Sequence, residues 1–152
     1  MPDIQPLVVL SGVPKALEEF GTLLEANEVT AVVRANVPPL EVVDLLGQSV
    51  LYLSFSDYEG FGMATVDAMS CGCIPVVRPV GEMASYVDEN CGVLVTDVTV
   101  EGIKAAAERS VALLKDTDML RVFSERARDS VSRYRLYSES YVEGVRRALG
   151  QT

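Results

Sequence analysis

The sequence predicts an α/β fold built on a doubly wound parallel sheet with helices at the C-terminus. Three observations predict it: short β-branched apolar runs recur along the chain, stretches of helical spacing separate them, and the strand signal stops after residue 95. The runs are Leu7 to Leu10, Val29 to Val33, Val50 to Leu53, Ile74 to Val77 and Val93 to Val95. Each is short and almost continuously apolar, the pattern of strands covered on both faces.

The intervening stretches carry the helices. Leu17, Phe20, Leu23 and Leu24 form one apolar stripe. Leu40, Val43 and Leu46 form a second, introduced by Pro38-Pro39 and stopped by Gly47. Met63 to Cys71 is a third helix, closed by Gly72. Beyond Val95 three helices are expected, over Val100 to Lys115, Asp118 to Arg133 and Ser138 to Leu149. Lys115, Arg146 and Arg147 sit toward C-termini, where the helix dipole favours positive charge. No repeat, low-complexity tract or linker interrupts the 152 residues, so residues 1–152 are expected to form one domain.

Composition narrows the function. A net charge of −9 repels phosphate backbones, and nucleic acid is not an expected partner. The chain has no histidine, which excludes histidine-based catalysis within it and removes the commonest nitrogen ligand for zinc. Three cysteines, Cys71, Cys73 and Cys91, are too few and odd in number for a disulfide framework. The Cys-Gly-Cys pair falls short of the four ligands of a structural metal site and reads as small-residue packing, so neither metal nor cofactor is expected. The apolar runs are too short to span a bilayer and no charged-then-apolar leader opens the chain, which predicts a soluble, cytoplasmic protein with no membrane span.

Ligands of this fold class sit at the carboxyl ends of the strands. The loop after Leu53 stands out, with the sequence Ser54-Phe55-Ser56-Asp57-Tyr58-Glu59-Gly60-Phe61-Gly62-Met63. Gly60 and Gly62 allow close approach of the backbone to a ligand, and amides opening the next helix can face a phosphate. A tight strand-to-helix connection accounts equally for a Gly-x-Gly turn. Two acids frame the segment eight residues apart, Glu59 before the helix and Asp67 inside it. They read either as ligand contacts over the helix N-terminus or as a loop charge and a solvent-facing helix residue.

From Ser56 to Val77 the chain resembles the signature of group 1 (family 4) retaining glycosyltransferases: a glutamate (Glu59), Gly-Phe-Gly (60–62), a second acid (Asp67), Ala68-Met69, a small residue, Cys71-Gly72 and Pro75-Val76-Val77. Gly81-Glu82 to Asp88 resembles the family's next loop and short helix, Gly92 to Val95 its following strand, and Val29 to Leu53 the strand, helix and strand before the signature. The resemblance implies the Rossmann-like, C-terminal donor-binding half of a GT-B fold, whose ligand is a nucleoside-diphosphate sugar. It implies that Glu59 is the catalytic residue, contacting hydroxyls of the transferred sugar. It further implies that Gly60, Phe61, Gly62 and Met63 meet sugar and diphosphate through their amides, and that Asp67 accepts bonds from the ribose hydroxyls.

Several positions depart from the family pattern. The second acid is normally glutamate, and Ala64 stands where a proline is common. The alignment begins at the family's second strand, so the first strand-helix unit, with its Arg and Lys for the leaving diphosphate, is expected to be missing, as is the acceptor-binding domain. Lys15, Arg34 and Arg78 are substitute cations or surface charges.

The reading that follows is a donor-binding domain of a retaining hexosyltransferase, inactive alone and partnered by an acceptor-binding domain or subunit. A homodimer through an uncovered sheet edge is also expected. The alternatives are a degenerate, non-catalytic sensor or interaction module, and a sugar-nucleotide epimerase. Tyr134, Tyr137 and Tyr141 on the last helices face a partner or simply pack.

Overall fold

The computed structural model describes residues 7–10 and 14–148, with side chains described for residue 15 and residues 18–134. In chain order the elements are β1 (Leu7–Leu10), α1 (Pro14–Ala26), β2 (Val32–Ala35), α2 (Pro39–Gly47), β3 (Leu51–Ser54), α3 (Met63–Ser70), β4 (Ile74–Val77), a 3₁₀ turn (Gly81–Ser85), β5 (Val93–Leu94), α4 (Val100–Leu114) and α5 (Thr117–Ala148). This is the predicted α/β alternation with helices at the C-terminus. The strands hydrogen-bond as two parallel sheets, and the chain divides into two compact units, Met1–Asp44 and Leu45–Thr152.

In the first unit β1 and β2 pair in parallel, Leu7 opposite Val32 through Leu10 opposite Ala35, with α1 as the crossover. The second strand starts three residues later than its apolar run suggests. Glu28 takes a left-handed conformation (φ 54°), its amide donates to the Glu25 carbonyl (3.1 Å), and the Val29 amide donates to Leu24 (2.9 Å). These two bonds make a Schellman motif in which Val29 is the apolar residue that follows the cap, so Val29 closes α1 and cannot begin β2.

The second unit holds a sheet in the order β3-β4-β5, all parallel. Side chains alternate across it. Tyr52, Val77 and Leu94 face a core completed by Val66 and Met69 of α3 and by Ala127 and Val131 of α5. Leu51, Val76, Val93 and Val95 face Ala106 of α4. Helices thus cover both faces, which is why β4 is buried along its whole length.

The helix starts are fixed by capping. Thr99 Oγ1 accepts from the Gly102 amide (3.2 Å) to start α4, and Asp116 Oδ1 accepts from the Met119 amide (2.9 Å) to start α5. The two helices expected over Asp118 to Arg133 and Ser138 to Leu149 are one continuous helix of 32 residues. The separating residues, Tyr134-Arg135-Leu136-Tyr137, contain neither Gly nor Pro, and nothing in them stops helical propagation. Among the described residues no helix is long and apolar enough to cross a membrane.

Met69 of α3 is fully buried among residues of β4 and α5. Met69→Ala is therefore expected to lower the unfolding free energy by about 2–5 kcal/mol in urea titrations. A loss below about 1 kcal/mol would mean that this core does not close around α3.

Candidate functional site

Eight residues, 55–62, connect β3 to α3 at the carboxyl edge of the sheet. Gly62 ends the connection as the N-cap of α3, in the left-handed region (φ 77°, ψ 50°) and with no side chain to cap the helix. Its carbonyl accepts from the amides of Thr65 (2.9 Å) and Val66 (3.2 Å). The amides of Met63 and Ala64, both exposed, have no acceptor among the described residues. The helix N-terminus with its partial positive charge is left open here, whereas α4 and α5 are closed by side chains.

Two segments hold this connection from beneath. Gly81 (φ 58°) lies so close that an added Cβ would overlap the carbonyl oxygen of Glu59, and the next amide, of Glu82, donates to the Gly60 carbonyl (3.0 Å). The hydroxyl of buried Tyr86 donates to the carbonyls of Phe61 (2.6 Å) and Gly62 (3.2 Å). Phe61, Tyr86 and Tyr134 form an aromatic cluster with centroid separations of 5.7, 4.9 and 5.6 Å, and Tyr134 meets the other two rings edge-on. Arg133 lies over the Tyr134 ring and donates to the Ser85 carbonyl (3.0 Å). Tyr134 thus packs within the chain, while the side chains of Tyr137 and Tyr141 lie outside the described residues.

The two glycines have different reasons. A Cβ at Gly62 would lie 2.7 Å from the Tyr86 hydroxyl and 2.8 Å from Met83 Cγ, so glycine is required there by sterics as well as by its positive φ. Nothing lies within 4 Å of the Cβ position at Gly60, which faces open space.

Among the described residues, neither the half-buried Glu59 nor the exposed Asp67 engages its carboxylate in an ion pair or side-chain hydrogen bond. Asp67 stands one turn into α3, on the same helical face as Met63. Both acids act on Tyr52 of β3. Burial pushes its hydroxyl pKa up, hydrogen bonds with the Ser54 and Thr65 side chains oppose that shift, and the negative charges of Glu59 and Asp67 reinforce it. Burial likewise raises the Tyr86 hydroxyl, with Tyr134 and Glu59 adding to the effect.

Of the candidate cations, Arg78 follows β4 and pairs with Asp57 in the β3–α3 connection, its own amide donating to the Ser54 carbonyl (3.0 Å). Lys15 pairs with Glu19 on α1 (3.8 Å), and Arg34 is exposed on β2 in the first unit.

The three cysteines carry free thiols, and Cys73 and Cys91 are buried. Cys73 Sγ donates to the Leu46 carbonyl (3.2 Å) and approaches that of Ser49 (3.5 Å), so this thiol caps the C-terminal end of α2. Burial pushes its pKa up to about 11, keeping it a neutral donor. Three residues at the site were not singled out by the sequence reading: Tyr52, Gly81 as a steric requirement, and Tyr86. Tyr52 sits in the strand feeding the loop and could be suspected from that. Gly81 and Tyr86 carry no local signal, because their role depends on contact with a loop about twenty residues away.

The family model for Glycosyl transferases group 1 matches residues 5–130. The chain is 31% identical over 115 residues to the GDP-mannose:cellobiosyl-diphosphopolyprenol alpha-mannosyltransferase of Komagataeibacter xylinus, a match covering 73% of this chain and 28% of the relative. Its fold is similar to that of sucrose-phosphate synthase from Thermosynechococcus elongatus (TM-score 0.78, 18% identity), covering 100% of this chain and 40% of that one. It is also similar to the C-terminal domain of a glycosyl transferase group 1 family protein, LpcC, from Francisella tularensis (TM-score 0.71, 19% identity), covering 87% of this chain and 70% of that one. The chain therefore spans under a third of the curated relative's length.

Gly62→Ala is expected to destabilise the fold by at least about 1–3 kcal/mol, the scale of a strained left-handed residue, while Gly60→Ala stays within about 0.5 kcal/mol of wild type. Denaturant titrations of the two variants check the contrast; equal effects would contradict the different steric roles. Stability is also expected to fall with alkaline pH. The Cys73 pKa rises from 9.0 to about 11 on folding, so its contribution is intact below pH 9 and is lost as the pH climbs toward 11. Urea midpoints measured across that window should drop less steeply in Cys73→Ala than in wild type.

Proposed function

The chain belongs to the group 1 glycosyl transferases, and from that premise we propose that it is the donor-binding part of a retaining hexosyltransferase, binding a nucleoside-diphosphate sugar and completed by an acceptor-binding domain or subunit. The observation that carries the reading is the pairing, across the β3–α3 connection and the first turns of α3, of uncapped amides with two unengaged carboxylates. Amides at a helix N-terminus suit a diphosphate, and carboxylates suit sugar and ribose hydroxyls. The alpha-mannosyltransferase relative, whose name specifies GDP-mannose, supports a nucleotide-sugar donor.

In this reading Glu59 is the catalytic residue, accepting hydrogen bonds from hydroxyls of the transferred sugar and orienting its anomeric carbon. The amides of Gly60, Phe61, Gly62 and Met63 meet the sugar and diphosphate, and the open space above Gly60 lets a ligand approach the main chain. Asp67, one turn into α3, accepts from the ribose. The bond between anomeric carbon and phosphate oxygen breaks and the diphosphate leaves. Amides fixed before the reaction stabilise its developing charge without reorganising. An acceptor hydroxyl, brought by the other domain or subunit, forms the new bond on the face the diphosphate leaves, so configuration is retained, and passes its proton to the departing phosphate oxygen. Arg78, the cation nearest this connection in sequence and pairing, is neutralised by Asp57, so the second unit relies on main-chain dipoles for the phosphates. Free thiols fit a cytoplasmic setting.

Calorimetric titration with uridine, guanosine and adenosine diphosphate sugars tests the proposal. Saturable binding of one nucleotide is expected, with Glu59→Ala and Asp67→Ala each weakening the sugar nucleotide by roughly tenfold, about 1.4 kcal/mol, while circular dichroism stays unchanged. No binding up to millimolar ligand, or unchanged affinity in both variants, would overturn it.

A further inference from the structure

We propose that Tyr86 is a positioning residue for the ligand site: by holding two consecutive carbonyls inward, its hydroxyl turns the two amides that follow them outward, toward the diphosphate of a bound nucleotide. The inference rests on the donor-binding reading above and assigns a role to a side chain that makes no ligand contact itself.

The peptide bond is planar and, in this chain, trans throughout the described residues, so the C=O of one residue and the N–H of the next point in opposite directions. The Phe61 carbonyl accepts from Tyr86 at 2.6 Å, which turns the Gly62 amide away from Tyr86. The Gly62 carbonyl accepts from the same hydroxyl at 3.2 Å, which adds to the bonds from the Thr65 and Val66 amides in keeping the Met63 amide turned away. Two successive amides facing one side around a left-handed glycine form an anion-binding nest, continuous here with the open start of α3.

Tyr86 is itself fixed. Its ring is buried against Phe61 and Tyr134, and its carbonyl accepts from Ser130 Oγ of α5 (2.5 Å). Substituting Gly62 cannot relieve the arrangement, because a Cβ there would lie 2.7 Å from the Tyr86 hydroxyl. The same oxygen therefore excludes other residues at position 62 and sets the direction of the peptide planes on either side. A phenylalanine would keep the ring packing and lose what the oxygen supplies.

The test combines calorimetry with amide NMR on the full chain, using UDP, GDP and the corresponding nucleosides as probes. In wild type, the Gly62 and Met63 amide resonances are expected to shift strongly on saturation with the nucleoside diphosphate that binds and little with its nucleoside. Tyr86→Phe is expected to weaken that diphosphate about tenfold or more, to abolish the Gly62 shift and to reduce the Met63 shift, while amide shifts in β4 and the nucleoside response stay at wild-type values. A merely structural role would change nucleoside and diphosphate alike. Wild-type affinity in Tyr86→Phe with the two amide shifts retained would overturn the role of Tyr86 and leave the donor-site reading standing. Absence of binding to the wild type would overturn both. If Tyr86→Phe does not fold, the wild-type titration still decides: amides of Gly62 and Met63 that stay unmoved at saturating diphosphate would refute the proposal.

Discussion

A chain leaving β3 has eight residues in which to reverse direction and begin α3 over the edge of the sheet. It completes the turn by placing Gly62 at a φ of 77°. Few residues other than glycine adopt that conformation without strain, and none fits beside the Tyr86 hydroxyl. Once Gly62 is set, α3 starts without a side-chain cap and its first amides stay open. The Phe61 ring is then carried into the cluster with Tyr86 and Tyr134, which ties the loop to α5. Gly81 meets the same loop from below, where only hydrogen fits against the Glu59 carbonyl.

The alternation of strands and helices was legible because burial on both faces leaves continuous apolar runs, and Ile74 to Val77 is the clearest of them. Where the reading slipped, a local interaction had borrowed the signal. Val29 is apolar because it follows a helix cap, not because it lies in a strand. Tyr134 to Tyr137 separate two helices in the sequence pattern, yet with neither Gly nor Pro among them the helix runs through. Glu59 and Asp67 were legible through their spacing and the resemblance around them. Tyr86 and Gly81 were not, since a residue that supports a loop from beneath shows its purpose only after the chain has brought β4 and the 3₁₀ turn under it.

The acidic character of the chain and the proposed anionic ligand are compatible for a physical reason. Net charge governs long-range encounter, while local potential at a helix N-terminus comes from oriented peptide dipoles. With Arg78 neutralised by Asp57, the main chain is the source of positive potential that this connection offers. The same geometry leaves Glu59 and Asp67 free of cationic partners among the described residues, and an unpaired carboxylate is a better acceptor for hydroxyl groups than one already bound to an arginine.

A surface presented by backbone atoms has an evolutionary corollary. The amides of residues 63 and 64 are supplied by any residue except proline, which has no N–H, provided that the peptide planes keep their directions. Ala64 and the exposed Met63 are accordingly free to drift, and constraint shifts to residues that face away from the surface: Gly62, Gly81 and Tyr86. In such a loop, sequence divergence at the visible face is a poor measure of lost capacity, and changes hidden beneath it are the informative ones.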